Sequence, residues 1–540
     1  MSLVAAAPAR ALGLDAMRVI MVETPAPTAS LTPHLSSFGD GLYLSWLERD
    51  GDGHELRVSR WDGTAFVDAR SIHASDRFFA NWADFASVLP WGDGRLAAHW
   101  LEKAANGTYE YDVWIRVSDD DGRTWSEPER PHRDGTLSEH GFVSMVAMAP
   151  LSAGGFAAVW LDGREFEKGA GDNEMTLRFT TYDADGFGEE VLLDGRVCEC
   201  CQTGMARTDD GLFVAYRDRS GEEIRDIGYV RYVDNGGDGA WTEPAILNED
   251  GWHLPGCPVN GPQVTAKGNR VAVAWFTASK DTPRVQVLFS DDGGESFGAP
   301  ARVDDGNPVG RVDIEWLGDD VLMSWVERLE GRDGEVRTKM VAPSGDVGTS
   351  LFVAKTGSGR ASGFPRMTRF GDEVFISWTE SYERKGPSQV RVARITNEVA
   401  LIDEPAYDFA AVGIDGKDYR LEDLSGKVVL LNFWGIWCTR CRDEIPRLTE
   451  LDRKHRGAGL VVLGADYGDD PKDLPAFMED IGMSYPALID DGLADDYEVL
   501  IYPTSVVIDR NGRVRYRVEG FTEESFRALE RVVERLLADS

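Results

Sequence analysis

Short apolar runs that end in an aromatic residue recur along the chain. They read GLYLSW ending at Trp46, RLAAHW at Trp100, GFAAVW at Trp160, GLFVAY at Tyr216, RVAVAW at Trp275, DVLMSW at Trp325 and EVFISW at Trp378. Successive aromatics lie 54, 60, 56, 59, 50 and 53 residues apart. Runs this short, rich in β-branched and aromatic residues and bounded by Gly and Asp, form strands rather than helices. Each follows a shorter strand-like run (HLSSF, FVSMVAM, GPQVTAK) and leads into another (HELRVSRW, YDVWIRVS, VQVLFS, QVRVARIT). Three or four short strands in a unit repeated seven times predict the blades of a β-propeller over residues 17–398. The seventh unit lacks an outer strand, and MRVIMVE (17–23) is expected to supply it and close the ring.

Two turns carry a shared signature, SDDDGRTW (118–125) and SDDGGESF (290–297). In Ser-x-Asp-x-Gly-x-Thr/Ser-aromatic the Asp caps the turn, the Gly takes positive φ, and the aromatic anchors the hairpin. On these residues the region resembles the sialidase-like propellers with BNR or Asp-box repeats. That family usually has six blades, so a six-bladed ring stays open beside the seven counted. The resemblance implies an arginine clamp for a carboxylate, for which Arg217, Arg311 and Arg366 are candidates, and a Tyr–Glu nucleophile pair. The first unit, LTPHLSSF, has no Phe-Arg-Ile-Pro-like segment, and Tyr382 has no assigned glutamate. An exo-sialidase or other glycoside hydrolase would therefore lack part of its expected machinery.

Around Ile395 the repeat stops. A linker over 399–408 leads into VVLLNFW, a helix-forming stretch containing Pro446, then LVVLGADYG, DLPAFMEDIG, YPTSVVIDRNG, RVRYRVEG and the amphipathic ESFRALERVVERLL. Strands alternating with helices, a terminal hairpin and a closing helix predict a separate α/β domain over 409–540. The fold class is therefore multidomain, an all-β propeller followed by an α/β unit.

Within that unit, WCTRC sets Cys438 and Cys441 where a strand meets a helix. The free N–H groups and positive dipole of a helix N-terminus favour a thiolate on the first sulfur. Cys438 is the expected nucleophile, and Cys441, one turn in, resolves the mixed disulfide. A lone CxxC is also half of many zinc sites, but this domain has no second CxxC or HxxxH, and His455 is its only histidine. GKVVLLNFWGIWCTRC, Pro446, IYPTSVVIDRNG and the closing helix resemble thioredoxin-fold proteins of the TlpA/ResA/CcmG type. The resemblance implies that Pro503 is the cis-proline beside the disulfide, offering backbone groups to a substrate chain, and that Glu444 assists proton movement. Asn432 stands where thioredoxins proper carry a buried Asp. Trp437 is read either as packing beneath the motif or as a lid on the disulfide. Such chemistry needs no cofactor, and its partners are a protein disulfide client and an upstream thiol electron donor. The family implies export to the bacterial periplasm or cell envelope.

GRVCECCQTG places Cys198, Cys200 and Cys201 just before the fourth unit, and Cys257 lies at the same point before the fifth. Segments leading into first strands converge on one face of a propeller, so the four are expected to be neighbours, with His253 and His140 near the same mouth. Three readings stay open: a structural disulfide from Cys257 to one of the three, a copper or zinc site, and a redox centre serviced by the thioredoxin-like domain. A direct Cys200–Cys201 bond would be strained, because adjacent Cα atoms are about 3.8 Å apart.

Bulk properties change this little. A chain of 540 residues exceeds one core, and 42% hydrophobic with 28% charged residues is ordinary for globular domains. A net charge of −36 argues against nucleic acid or an anionic membrane surface as partner. No apolar run reaches the roughly 18 residues of a membrane span. MSLVAAAPARALG lacks a basic n-region, so any export signal is expected to be missing from this sequence.

Overall fold

The computed structural model describes residues 17–107, 109–148, 154–165, 174–234, 239–331, 333–382, 386–396, 401–489 and 492–538. The N-terminal stretch weighed above as a signal peptide lies outside these residues, as do positions 399 and 400 of the expected linker. Two compact units emerge, 1–396 and 397–540.

Seven antiparallel sheets make up the first unit, one for each recurring run. The runs are the second strands of their blades, among them Phe156–Asp162 and Gly211–Arg217, both buried at every position. Neighbouring blades cover both faces of these strands, which is why they read as continuous apolar runs instead of alternating ones. The recurring Trp has a polar reason as well. Trp46, Trp160 and Trp325 each donate an indole N–H to the carboxylate two residues on, Glu48, Asp162 and Glu327, at 3.1, 2.8 and 2.6 Å. A buried indole is costly without an acceptor, and W-x-D/E supplies one inside the strand.

The strand Arg18–Val22 pairs antiparallel with Gln389–Thr396, from Arg18 opposite Thr396 to Val22 opposite Val392. The ring thus has seven blades and is closed by a strand from the opposite end of the unit. In the Asp-box turns, Ser118 and Ser290 donate to Asp120 and Asp292 at 2.9 and 2.7 Å. Those carboxylates accept from the Thr124 and Ser296 amides at 2.8 and 2.9 Å. Gly294 has φ +86°, and a Cβ there would sit 2.4 Å from the Phe213 ring.

The second unit is a six-stranded mixed sheet in the order Glu404–Pro405, Arg513–Glu519, Thr504–Ile508, Val428–Trp434, Leu460–Asp466, Ala487–Ile489. Glu404 and Pro405 pair with Val514 and Arg513, so part of the segment expected as linker is sheet edge. Helices α1 (Thr439–His455), α2 (Leu474–Ile481), α3 (Leu493–Asp496) and α4 (Glu523–Ala538) complete the unit. The central strand splits its side chains between two cores. Val428, Leu430 and Trp434 pack with Ile445, Leu448, Leu529 and Val533, and Val429, Leu431 and Phe433 pack with Leu463, Val506 and Ile508. Among the described residues no helix is long and apolar enough to cross a membrane.

Candidate functional site

The fully buried strand Val428–Trp434 delivers the chain to Gly435, whose missing side chain leaves room for Trp437. A Cβ at Gly435 would lie 2.5 Å from the Trp437 indole nitrogen. Cys438 then caps α1 in extended geometry, and its sulfur accepts from the Cys441 amide at 3.1 Å. Buried positions Cys441, Glu444, Ile445, Leu448, Leu451 and Asp452 make one face of that helix and fix Cys441 inward. Cys438 and Cys441 are joined in a disulfide with Cα atoms 5.3 Å apart. Cys438 is 5% exposed and Cys441 0%, so the outer sulfur is the one a partner reaches.

Behind the pair lies a polar network. Glu444 is 2% exposed and accepts from Asn432 Nδ2 at 2.8 Å and Ser505 Oγ at 3.2 Å, and Asn432 also donates to Ser505 at 2.9 Å. Burial raises the Glu444 carboxyl to about 7, against the pull of those two hydrogen bonds. Ser505 escaped the sequence reading, although it stands two residues after Pro503 on a strand whose alternate positions share a face.

The raised Glu444 carboxyl has a consequence for stability. A folded-state value above the unfolded one stabilises the fold below about pH 4.5, and this contribution is lost as pH rises through about 7. Glu444→Gln is therefore expected to leave the second unit's urea midpoint nearly unchanged at pH 5. At pH 8 it should raise stability by roughly 2–3 kcal/mol. Denaturant titrations of both chains at the two pH values check this.

Beside the disulfide Trp437, Tyr467 and Tyr502 form an aromatic cluster. The Tyr502–Pro503 peptide is cis, and the buried Pro503 already accepts from the Gly520 amide at 2.6 Å. Trp437 is 57% exposed, donates to the Tyr467 carbonyl at 3.2 Å, and meets Tyr502 edge-on at 5.3 Å. It does not pack beneath the motif. Trp434 does, fully buried and stacked on Phe477 at 5.4 Å. Tyr467, Leu500 and Ile501 are also exposed.

The propeller cysteines divide into two pairs. Cys200 and Cys257 form a disulfide with Cα atoms 6.2 Å apart. Cys198 and Cys201 are free and buried, with sulfurs 3.3 Å apart. The sulfurs of Cys198, Cys200 and Cys201 all lie within 4.8 Å of one another. Burial pushes Cys201 up, but the hydrogen bond from Cys198 and the charges of Arg217 and Arg225 outweigh it, bringing the thiol to about 7. Burial and the facing Cys201 sulfur push Cys198 well above the ordinary thiol range.

The two histidines expected at this mouth do not join the sulfurs. His140 is fully buried and stacked on His132 at 3.8 Å, with Asp112 at 3.6 Å and Asp134 at 3.4 Å from its ring nitrogens. His253 is exposed, and its backbone bridges to Ile224. Neither joins the cysteines in a potential ligand group among the described residues. The position before a first strand predicted only where backbone converges, not which loop a side chain meets.

Two of the three candidate clamp arginines are committed internally, while Arg366 faces Asp313 only at 3.9 Å. Arg217 donates to the Asn260, Arg225 and Phe276 carbonyls, and Arg311 donates to Ser362, Ser358 and Gly359. Arg217, Arg311 and Arg366 are 1%, 4% and 6% exposed. Tyr382, left without a glutamate by the sequence, donates to Glu380 at 3.3 Å on the exposed surface.

Comparison with known proteins places the second unit. The AhpC/TSA family matches residues 402–517. The thiol-disulfide oxidoreductase ResA of Geobacillus thermodenitrificans is 36% identical over 117 residues, 21% of this chain and 67% of the relative. ResA of Bacillus thuringiensis is 34% identical over 125 residues, 23% of this chain and 72% of the relative. A thioredoxin-family thiol:disulfide interchange protein structure from Chlorobium tepidum is 26% identical, covering 25% of this chain and 98% of that one, with a TM-score of 0.24. With a helix-capping CxxC at the end of a buried central strand, the chain belongs through residues 402–517 to the AhpC/TSA family and carries a thioredoxin-like thiol-disulfide oxidoreductase domain.

Proposed function

We propose that this protein is a reductase of protein disulfides in which Cys438 attacks and Cys441 resolves. The propeller supplies the disulfide to be serviced, either its own Cys200–Cys257 bond or that of a docked client. The observation that carries this reading is the Cys438–Cys441 disulfide at the mouth of α1, with the exposed Trp437 next in sequence and joined to Tyr467 and Tyr502 in an aromatic cluster. An exposed aromatic cluster suits an unfolded or extended protein segment better than a small charged thiol. Glu444 lies three residues after Cys441 on the same helical face, and we assign it the proton that Cys441 must lose before it attacks. The site residues of this reading are Cys438, Cys441, Glu444, Pro503 and Trp437. The domains of this reading are the propeller, ending at Thr396, and the oxidoreductase that follows it and includes the edge strand Glu404–Pro405. Its place is an exported one, in the periplasm or cell envelope, where a reductant must be delivered by an upstream thiol donor.

A second reading is favoured by the three clustered sulfurs. Once Cys200–Cys257 is opened, Cys198, Cys200 and Cys201 offer a soft thiolate set for copper(I) or zinc, kept reduced by the oxidoreductase domain. His140 and His253 have no part in it.

A Cys441→Ser chain tests the first reading, since Cys438 then stays bonded to whatever it has attacked. Non-reducing peptide mapping should find Cys438 joined to Cys200, to Cys257, or to a captured protein that also binds a Cys438→Ser chain. Mixed disulfides with small thiols alone would overturn the proposal.

A further inference from the structure

The propeller holds a second CxxC, Cys198-Glu-Cys-Cys201, directly beside a disulfide. Its two sulfurs are 3.3 Å apart, closer than unbonded sulfurs normally pack, and both are buried. Blade packing alone calls for neither. The two arginines beside them are held in place. Arg217 is anchored by three backbone carbonyls, and Arg225 by Glu199 at 2.9 Å and Glu223 at 2.7 Å. Fixed positive charge next to a dithiol favours a shared, singly ionised S–H···S⁻ pair. Cys257, by contrast, is exposed, and Cys200 is half-buried. A buried nucleophile, an adjacent disulfide and an exposed leaving sulfur are the parts of an exchange reaction.

We propose that Cys198 and Cys201 form a second redox couple of this chain, exchanging with Cys200–Cys257 so that oxidation arriving at the surface disulfide is stored as a buried Cys198–Cys201 bond. The exchange balances within the four residues. From the singly ionised pair the Cys198 thiol gives its proton to the Cys201 thiolate, its sulfur attacks Cys200, and Cys257 leaves as a thiolate that takes a proton from solvent. Cys201 sulfur then gives up its proton and attacks Cys198, and Cys200 leaves and is protonated. Two unbonded cysteine sulfurs and one disulfide stand on each side, with one proton taken up from solvent. Attack through Cys198 passes through a bond between residues two apart, whereas attack by Cys201 on Cys200 would need a bond between adjacent residues. External equivalents enter at Cys200 and Cys257, carried by a protein or small-molecule disulfide on the oxidising side and by a thiol on the reducing side. None of this requires Cys438.

The test uses the full chain with Cys438→Ser and Cys441→Ser, so that only the propeller cysteines react. The reduced protein is given oxidised glutathione, quenched in acid at intervals, and mapped for disulfides under non-reducing conditions. Closure of Cys198–Cys201 is expected, and the additional change Cys200→Ser should slow it at least tenfold by removing the port. Cys200→Ala serves if the serine chain does not fold, as judged by circular dichroism. Equal closure rates with and without Cys200 overturn the exchange. No Cys198–Cys201 bond in the chain that keeps all four cysteines overturns the couple itself, whatever the variants do. Because Cys438 is absent, neither result depends on the reductase reading.

Discussion

Replacing Cys438 with serine is expected to abolish dithiol–disulfide turnover, reducing insulin or client reduction to the uncatalysed rate, while the melting temperature of the second unit stays within a few degrees. The reasoning is electrostatic. At the mouth of α1 the sulfur accepts from the Cys441 amide at 3.1 Å and faces the positive end of a 17-residue helix. Both favour a thiolate, and the thiolate is the attacking species. A serine hydroxyl keeps the cap but is not ionised near neutrality, so the fold survives and the chemistry stops. A thiol titration should agree, with Cys438 ionising below an ordinary cysteine. Full activity in the serine chain would remove the basis of the catalytic assignment.

Deleting residues 1–25 is expected to destabilise the propeller by about 3–5 kcal/mol, from lost backbone pairing and lost apolar burial together. The strand Arg18–Val22 fills the outer position of the seventh blade in a five-residue register. Val19 packs against the core around Trp378 and Ile395, and Val22 against that around Leu42 and Phe375. Its loss would also bare the edge of Gln389–Thr396, a ready template for pairing between molecules. Denaturation and size-exclusion measurements should show a lower midpoint and a growing aggregate. An unchanged midpoint would mean that the ring does not depend on this closure.

How much of this was legible in the sequence depends on whether a signal is local. Each blade announces itself through an apolar run, an aromatic and a turn within about 55 residues, so the seven units could be counted. The CxxC at a strand–helix junction is equally local, and the family match to residues 402–517 agrees with it. Cysteine pairing is not local. Four cysteines allow three pairings, and nothing in the spacing of Cys198, Cys200 and Cys201 says which of them meets Cys257. His140 misled for the same reason, because its neighbours His132 and Asp134 come from the loop before its own strand, and Asp112 from the previous blade. Trp437 and Trp434 are three residues apart, yet one is exposed and one is core, since the chain turns at Gly435 between them.

Gln202, next to Cys201, reaches across the ring. Its amide donates to the Ala83 carbonyl at 2.7 Å and accepts from the Gly261 backbone at 2.9 Å, lacing the fourth blade to segments flanking the second and fifth. Any breathing motion wide enough to bare the Cys201 sulfur to solvent must undo that lacing, at a free energy nearer to partial unfolding than to loop fluctuation. Slow amide hydrogen exchange and chemical shelter of the inner sulfurs are thus expected together, and exchange through Cys200, as proposed, would leave the lacing intact.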